Sequence, residues 1–118
     1  MRYDYPVGFQ VREYLTPDGG SPYRDWLERL DTMVRARVQA RVFRFEFGNL
    51  GDHKSVGGGV WEARLAFGPG YRIYFGIDRK TVILLLLGGE KGSQTKDIRK
   101  ARKHWVDYLE ATRHGKAN

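Results

Sequence analysis

The sequence contains no cysteine, and this absence excludes several kinds of chemistry at once. Without thiols the chain has no disulfides, no thiolate nucleophile and no cysteine-based zinc site. Long hydrophobic runs are also missing: the longest, 82–87, has six residues, whereas a membrane helix needs about 20. The first ten residues, MRYDYPVGFQ, lack the apolar core of a signal peptide. We therefore expect a soluble, cytoplasmic protein with no membrane partner.

Several catalytic fingerprints are absent as well. The sequence has no GxSxG, which argues against an α/β-hydrolase. The segment GGEKG at 88–92 lacks the spacing of a phosphate-binding P-loop. The three histidines are scattered and have no companion at metal-ligand spacing. We expect neither a metal site nor a cofactor.

Positive charge is concentrated in the second half of the chain. Residues 1–59 carry 9 Lys and Arg against 8 Asp and Glu, whereas residues 60–118 carry 12 against 6. A one-sided basic surface attracts polyanions and makes their binding sensitive to salt. The charge favours nucleic acid or the ribosome as a partner. A basic face that is merely solvated is the alternative.

The hydrophobic pattern predicts one α+β domain over residues 1–118. The predicted elements are a strand at 9–15, helices at 22–30 and 32–47, a glycine-rich loop at 48–59, strands at 60–67, 71–77 and 81–87, and a helix from 93–95 to about 112. The order is βααβββα, with an antiparallel sheet, two N-terminal helices packed on it and a C-terminal helix. The apolar last strand should be central and covered on both faces. The second helix should turn its arginines, including Arg41, away from its buried stripe.

The turn Gly68-Pro69-Gly70 decides which side chains of its hairpin share a face. A three-residue loop would pair Leu65 with Ile73 and Arg64 with Tyr74, with Gly70 in the left-handed conformation. A shift of one residue would pair apolar side chains with charged ones, so the pattern favours the three-residue form. Four polar side chains then occupy one face of the sheet: Glu62, Arg64, Arg72 and Tyr74. An ordinary solvent-exposed polar face is the alternative interpretation.

These residue types suit cleavage of RNA without a metal. RNA carries its own nucleophile, the 2′-hydroxyl, so an enzyme must position it, move protons and stabilise a more negative transition state. Arginine offers phosphate a bidentate fork, and lysine acts as a point charge. Lys91 follows the last strand and can reach the same region. The candidate catalytic residues are Arg72, Lys91, Arg64, Glu62 and Tyr74, of which no two form a dedicated acid–base couple.

Five segments resemble one family over nearly the whole chain. They are SPYRDWL at 21–27, GNLGDHK at 48–54, GVWEAR at 59–64, GPGYRIYF at 68–75 and GGEKGSQTKDI at 88–98. Together they resemble the phage-derived, HigB-like branch of the RelE/ParE toxin superfamily, the addiction-module killer proteins. Arg72 and Lys91 match that family's phosphate-binding basic residues, and Arg64 matches another basic position. Glu62 stands where some relatives have lysine.

The resemblance implies a RelE-like fold and the toxin of a type II toxin–antitoxin system that cleaves mRNA in the ribosomal A site. It implies a cognate antitoxin, a small helix-turn-helix protein, besides mRNA and the ribosome as partners. The candidate RNA-binding residues are Lys54, His53, Gln94, Lys96 and Arg99. Two alternatives remain open: a toxin of the same fold that inhibits DNA gyrase, and a non-catalytic basic module that binds nucleic acid.

Overall fold

The structure, a computed structural model, describes residues 8–116; residues 1–7, which hold most of the segment compared above with a signal peptide, and residues 117–118 lie outside it. The elements are β1 (Gln10–Glu13), α1 (Pro22–Arg29), α2 (Thr32–Phe45), β2 (His53–Gly57), β3 (Val60–Leu65), β4 (Tyr71–Asp78), β5 (Val82–Glu90), a single 3₁₀ turn (Lys91–Ser93) and α3 (Gln94–Lys116). They form an α+β fold with one five-stranded sheet in the order β1-β5-β4-β3-β2. Among the described helices, none has the length and apolar character to cross a membrane.

The predicted order βααβββα is wrong in one element. The segment 48–59, expected to be a loop, contains the edge strand β2, which pairs antiparallel with β3. Its glycines at 57–59 have positive φ and form the tight turn between the two strands. The strand residues HKSV alternate only weakly between polar and apolar. The many glycines of the segment therefore led to the prediction of a loop.

The sheet is mixed rather than antiparallel, which corrects a second expectation. β1 runs parallel to β5, with Gln10 opposite Val82 and Glu13 opposite Leu85. A parallel pair needs a long crossover, and here the chain passes through two helices and three strands before β5 forms. Pairing over so large a separation leaves no local signal in the sequence.

Helices cover both faces of the sheet. Ser21 caps α1 and Asp31 caps α2 through their side-chain oxygens, the usual role of serine and aspartate just before a helix. Both helices pack on one face, whose buried residues include Trp26, Leu27, Val38, Phe45, Ile73, Phe75, Ile83 and Leu85. α3 packs on the other face, where the buried residues are Tyr14, Val60, Tyr74, Leu84, Leu86, Ala101 and Trp105. β5 is covered on both faces, as expected, but it lies second from the β1 edge of the sheet, and the middle strand is β4.

The hairpin of β3 and β4 has the predicted faces but not the predicted register. Arg64 lies opposite Arg72 and Glu62 opposite Tyr74, so the connection spans five residues, 66–70, instead of three. The error is two residues. Because side chains alternate with a period of two, every residue stays on its expected face. Gly70 has φ +84°, the left-handed conformation expected of it.

Arg41 is buried, although the helical pattern assigned it to an outer face. Its guanidinium donates hydrogen bonds to the carbonyl oxygens of Leu50 at 3.1 Å, Asp52 at 2.7 Å and Arg64 at 2.7 Å. These bonds attach α2 to the start of β2 and to the end of β3. The helix therefore holds in place the two strands that carry Lys54 and Arg64.

We expect Arg41→Met to lower the free energy of unfolding by about 3 kcal/mol, because the buried carbonyls lose charged hydrogen-bond donors. Urea unfolding measures the change. The matched control is Arg44→Met on the same helix; Arg44 is exposed, and its substitution should stay within about 0.5 kcal/mol. Equal effects of the two substitutions would contradict the assigned role of Arg41.

Candidate functional site

The polar face predicted from the sequence exists, and it forms two rows across the sheet. Lys54, Glu62 and Tyr74 are cross-strand partners in one row. Arg64 and Arg72 are partners in the next row, and Gly89 of β5 lies opposite Arg72. The two rows occupy the end of the sheet where α3 begins. The chain therefore brings four of the five candidate catalytic side chains, Arg64, Arg72, Glu62 and Tyr74, onto one surface.

The alternative interpretation, an ordinary solvent-exposed polar face, is wrong for three of those residues. Glu62 and Tyr74 are 0% exposed, and Arg72 is 8% exposed. The reason is α3, which packs over the row of Glu62 and Tyr74. The sheet face that carries these polar residues is therefore buried in the interface between the sheet and α3.

Glu62 is the centre of the buried cluster. Its Oε2 accepts a hydrogen bond from the Tyr74 hydroxyl at 3.1 Å and another from Gln94 Nε2 at 2.6 Å. Its Oε1 lies 3.8 Å from Arg72 Nε, and neither of these two atoms has a hydrogen-bond partner among the described residues. A carboxylate buried this deeply requires a charge partner, and Arg72 supplies it.

Tyr74 is a hydrogen-bond donor at this site. Burial, together with the negative charge of Glu62 and its hydrogen bond, raises the pKa of Tyr74 above the ordinary value of a phenol. The hydroxyl therefore keeps its proton at neutral pH. It can hold Glu62 in place, but it has no tendency to act as a base.

Arg72 Nη1 and the stem of the Lys91 side chain both lie beside Gly70. A Cβ atom on Gly70 would lie 3.5 Å from Arg72 Nη1 and 3.5 Å from Lys91 Cβ, so both side chains flank the same Cα. The Lys91 backbone N–H also donates to the Gly70 carbonyl oxygen at 2.8 Å. Lys91 is exposed, so one accessible cation stands next to one that is almost buried. The resemblance assigned phosphate binding to these two residues.

Arg64 and Lys54 extend the positive surface toward β2. The Arg64 side chain is 35% exposed and lies 3.4 Å from an Asp52 oxygen, a weak ion pair. Lys54 is exposed and stands next to Glu62 in its row. We name the group formed by Arg64, Arg72 and Lys91 the cationic cluster.

The five candidate RNA-binding residues occupy four different positions. Lys54 lies beside the cationic cluster, and Lys96 and Arg99 line a groove with Lys91 at the start of α3. Gln94 turns inward and donates to Glu62. His53 lies opposite Ala63, on the other face, against Trp61. The structure thus separates Gln94 and His53 from the exposed cations.

Asp97 and Ser93 also belong to the site, although neither was among the candidate catalytic or RNA-binding residues. The Ser93 hydroxyl donates to Asp97, which is buried. A Cβ atom on Gly89 would lie 2.0 Å from an Asp97 oxygen, so only glycine lets α3 approach β5 here. The four-residue spacing of Ser93 and Asp97, which places two residues on the same side of a helix, was the only sequence pattern that could have indicated this contact. No three histidine, aspartate or glutamate side chains in the described part of the chain are grouped to hold a metal.

One comparison with known proteins covers most of the chain. Over 94 residues the chain is 39% identical to a protein of Haemophilus influenzae that is described as an uncharacterized protein. The alignment spans 79% of this chain and 89% of that protein. No protein-family model matches the chain. The similarity therefore concerns most of both chains and brings no function with it.

We expect Gln94→Glu to lower the free energy of unfolding at neutral pH by about 3 kcal/mol, because it places a second carboxyl against the buried Glu62. One carboxyl of the pair would then hold its proton to a higher pH in the folded state than in the unfolded state. Stability should be nearly restored at acidic pH and lost as the pH rises. Urea unfolding at a series of pH values measures this.

The control is Gln94→Met, which removes the hydrogen bond without adding charge. It should cost about 1 kcal/mol with the pH dependence of the unsubstituted protein. If Gln94→Glu follows the same pH profile as Gln94→Met, Glu62 and residue 94 do not meet as described.

Proposed function

The chain belongs to the same family as the Haemophilus influenzae protein, and we propose that it is the toxin of a type II toxin–antitoxin system, an endoribonuclease that cleaves mRNA on the ribosome. The observation that carries this proposal is that Arg72 Nη1 and the stem of the Lys91 side chain both lie beside Gly70, with Arg64 across the hairpin. The resemblance of five segments to RelE/ParE toxins supports it, as does the α+β architecture. A RelE-like fold is part of the same proposal.

The cationic cluster binds the phosphate of the bond to be cleaved. Lys91 is exposed and has no carboxylate within 4.0 Å among the described residues. Arg72 directs Nε toward Glu62, and its Nη1 lies beside Gly70, where the small residue leaves space. A phosphate at this point receives one guanidinium and one ammonium group together.

The chemistry that fits is attack of the RNA 2′-oxygen on the adjacent phosphorus. The bond from phosphorus to the 5′-oxygen breaks, and the products are a 2′,3′-cyclic phosphate and a 5′-hydroxyl. Negative charge on the phosphoryl oxygens increases in the transition state, so cations that are already in position stabilise it more than the substrate. No metal is required for this step.

The buried residues act through Arg72. Glu62 holds the guanidinium from below, and Tyr74 and Gln94 hold Glu62. With 0% exposure, Glu62 and Tyr74 do not reach a substrate, so we assign them to positioning. The Lys91 ammonium can give a proton to the departing 5′-oxygen, and the 2′-hydroxyl proton passes to water or to a ribosomal group.

The proposal includes a cognate antitoxin, a small helix-turn-helix protein, and action in the cytoplasm. The resemblance to RelE/ParE toxins is the basis for both the antitoxin and the cytoplasmic location. Induction of the chain alone should arrest growth, and co-expression of the neighbouring reading frame should restore it.

A non-catalytic RNA-binding module is the second candidate. One observation favours it: the carboxylate and the phenol of the site are buried and bonded to each other, which leaves no accessible acid–base couple. Such a module would bind RNA through the same cations and release it intact.

We expect Lys91→Ala and Arg72→Lys each to slow mRNA cleavage on purified ribosomes by about 10²–10³-fold, the usual effect of removing one transition-state donor. Arg72→Lys keeps a positive charge near Glu62 and so protects the fold. Lys80→Ala removes another exposed lysine, at the opposite end of β5, and should cleave at the unsubstituted rate. Primer extension on the mRNA measures the rate.

RNA that stays intact with the unsubstituted protein would overturn the ribonuclease proposal and favour the binding module. Cleavage that Lys91→Ala and Arg72→Lys leave unchanged would show that the reaction takes place elsewhere on the surface.

A further inference from the structure

A strip of exposed cations continues from Lys91 across the start of α3. Two grooves, each of about 460 Å³, adjoin there and share Gly92, Ser93 and Lys96. The first contains Lys91 and Arg99; the second lies between α1 and α3 and contains Arg29 and Lys100. We name this set the cationic strip: Lys91, Lys96, Arg99, Lys100 and Arg29.

The members of the cationic strip are free of carboxylate partners. Within the described residues, none of the five lies within 4.0 Å of a carboxylate. Outside the strip, Arg24, Arg79 and Lys103 are paired with acids. The exposed Arg12, Arg44 and Lys80 are also unpaired in the described part of the chain, so what distinguishes the strip is that its cations adjoin. All five strip side chains are exposed. Their positive charges therefore face solvent without a neighbouring negative charge. The five cations repel one another, and a bound anion would relieve this repulsion.

The two acidic residues of the grooves weaken this field only in part. Asp97 is buried and accepts a hydrogen bond from Ser93, and Glu90 is exposed at the edge. Lys96 and Lys100 are four residues apart, so they stand on one face of α3 about 6 Å from each other. Because the two grooves share Gly92, Ser93 and Lys96, their cations border one continuous surface, which can hold more than one phosphate of a chain.

We propose that an RNA strand runs from the cationic cluster along the cationic strip, where Lys96, Lys100 and Arg29 bind phosphates that flank the cleaved bond. This inference rests on the proposed function for the identity of the polyanion. It adds Arg29 and Lys100 to the residues that contact RNA. The strip contributes affinity and direction to the substrate, and no step of the cleavage takes place on it.

The test measures the salt dependence of RNA binding. The probe is a short single-stranded 2′-O-methyl RNA, which the protein cannot cleave because the 2′-oxygen is blocked. For single strands the slope of log K against log salt changes by about 0.7 for each phosphate contact. We expect Lys96→Ala/Lys100→Ala to reduce the slope by about 1.4 and Arg29→Ala to reduce it by about 0.7.

The matched control is Arg12→Ala/Lys80→Ala, which removes two exposed cations of β1 and the β4–β5 turn. It should leave the slope unchanged. An equal slope for the control and for Lys96→Ala/Lys100→Ala would overturn the inference. A second result would also overturn it: strip variants whose salt slope for RNA binding is unchanged but which no longer bind a polyglutamate peptide. The strip would then be a site for an acidic protein segment.

Cleavage of ordinary mRNA by the unsubstituted protein on ribosomes is measured in parallel. Cleavage with an unaltered slope in the strip variants contradicts the inference and leaves the ribonuclease proposal standing. A reduced slope without cleavage contradicts the ribonuclease proposal and supports the strip as an RNA site.

Discussion

A buried carboxylate, Glu62, connects the sheet to the start of α3, and the arrangement of the site depends on this contact. Its two hydrogen bonds come from Tyr74 on β4 and from Gln94 on α3, while Arg72 supplies the opposite charge. Because a buried carboxylate that loses a hydrogen-bond donor is costly, the bond from Gln94 favours one position of the start of α3 on the sheet. That position sets Lys91 beside Arg72 and lines up the cations that follow.

The two faces of the hairpin could be predicted from sequence because side chains alternate between the faces of a strand with a period of two residues. Alternation along β3 and β4 assigned Glu62, Arg64, Arg72 and Tyr74 to one side, and an error of two residues in the turn left that result intact. Helix caps at Ser21 and Asp31 were predictable for a similar reason, since one side-chain oxygen meets nearby backbone N–H groups. Local rules succeed where the partners are close in sequence.

The burial of the site could not be predicted from the same patterns. Whether a polar face meets solvent or a helix depends on where α3 packs, and Gln94 contacts Glu62 from 32 residues away. Arg41 shows the same difficulty: its position on α2 suggested solvent, but three distant carbonyl oxygens surround its guanidinium. The parallel pairing of β1 with β5 likewise depends on a contact far along the chain.

We propose that an accessible lysine and an almost buried arginine, held by Glu62, act together on an RNA phosphodiester. Mapping the 5′ ends of cellular mRNA after induction of the chain tests this most directly. We expect new, discrete 5′-hydroxyl ends within coding regions, and their loss when Lys91 is replaced by alanine. Growth arrest with unaltered mRNA ends would contradict it.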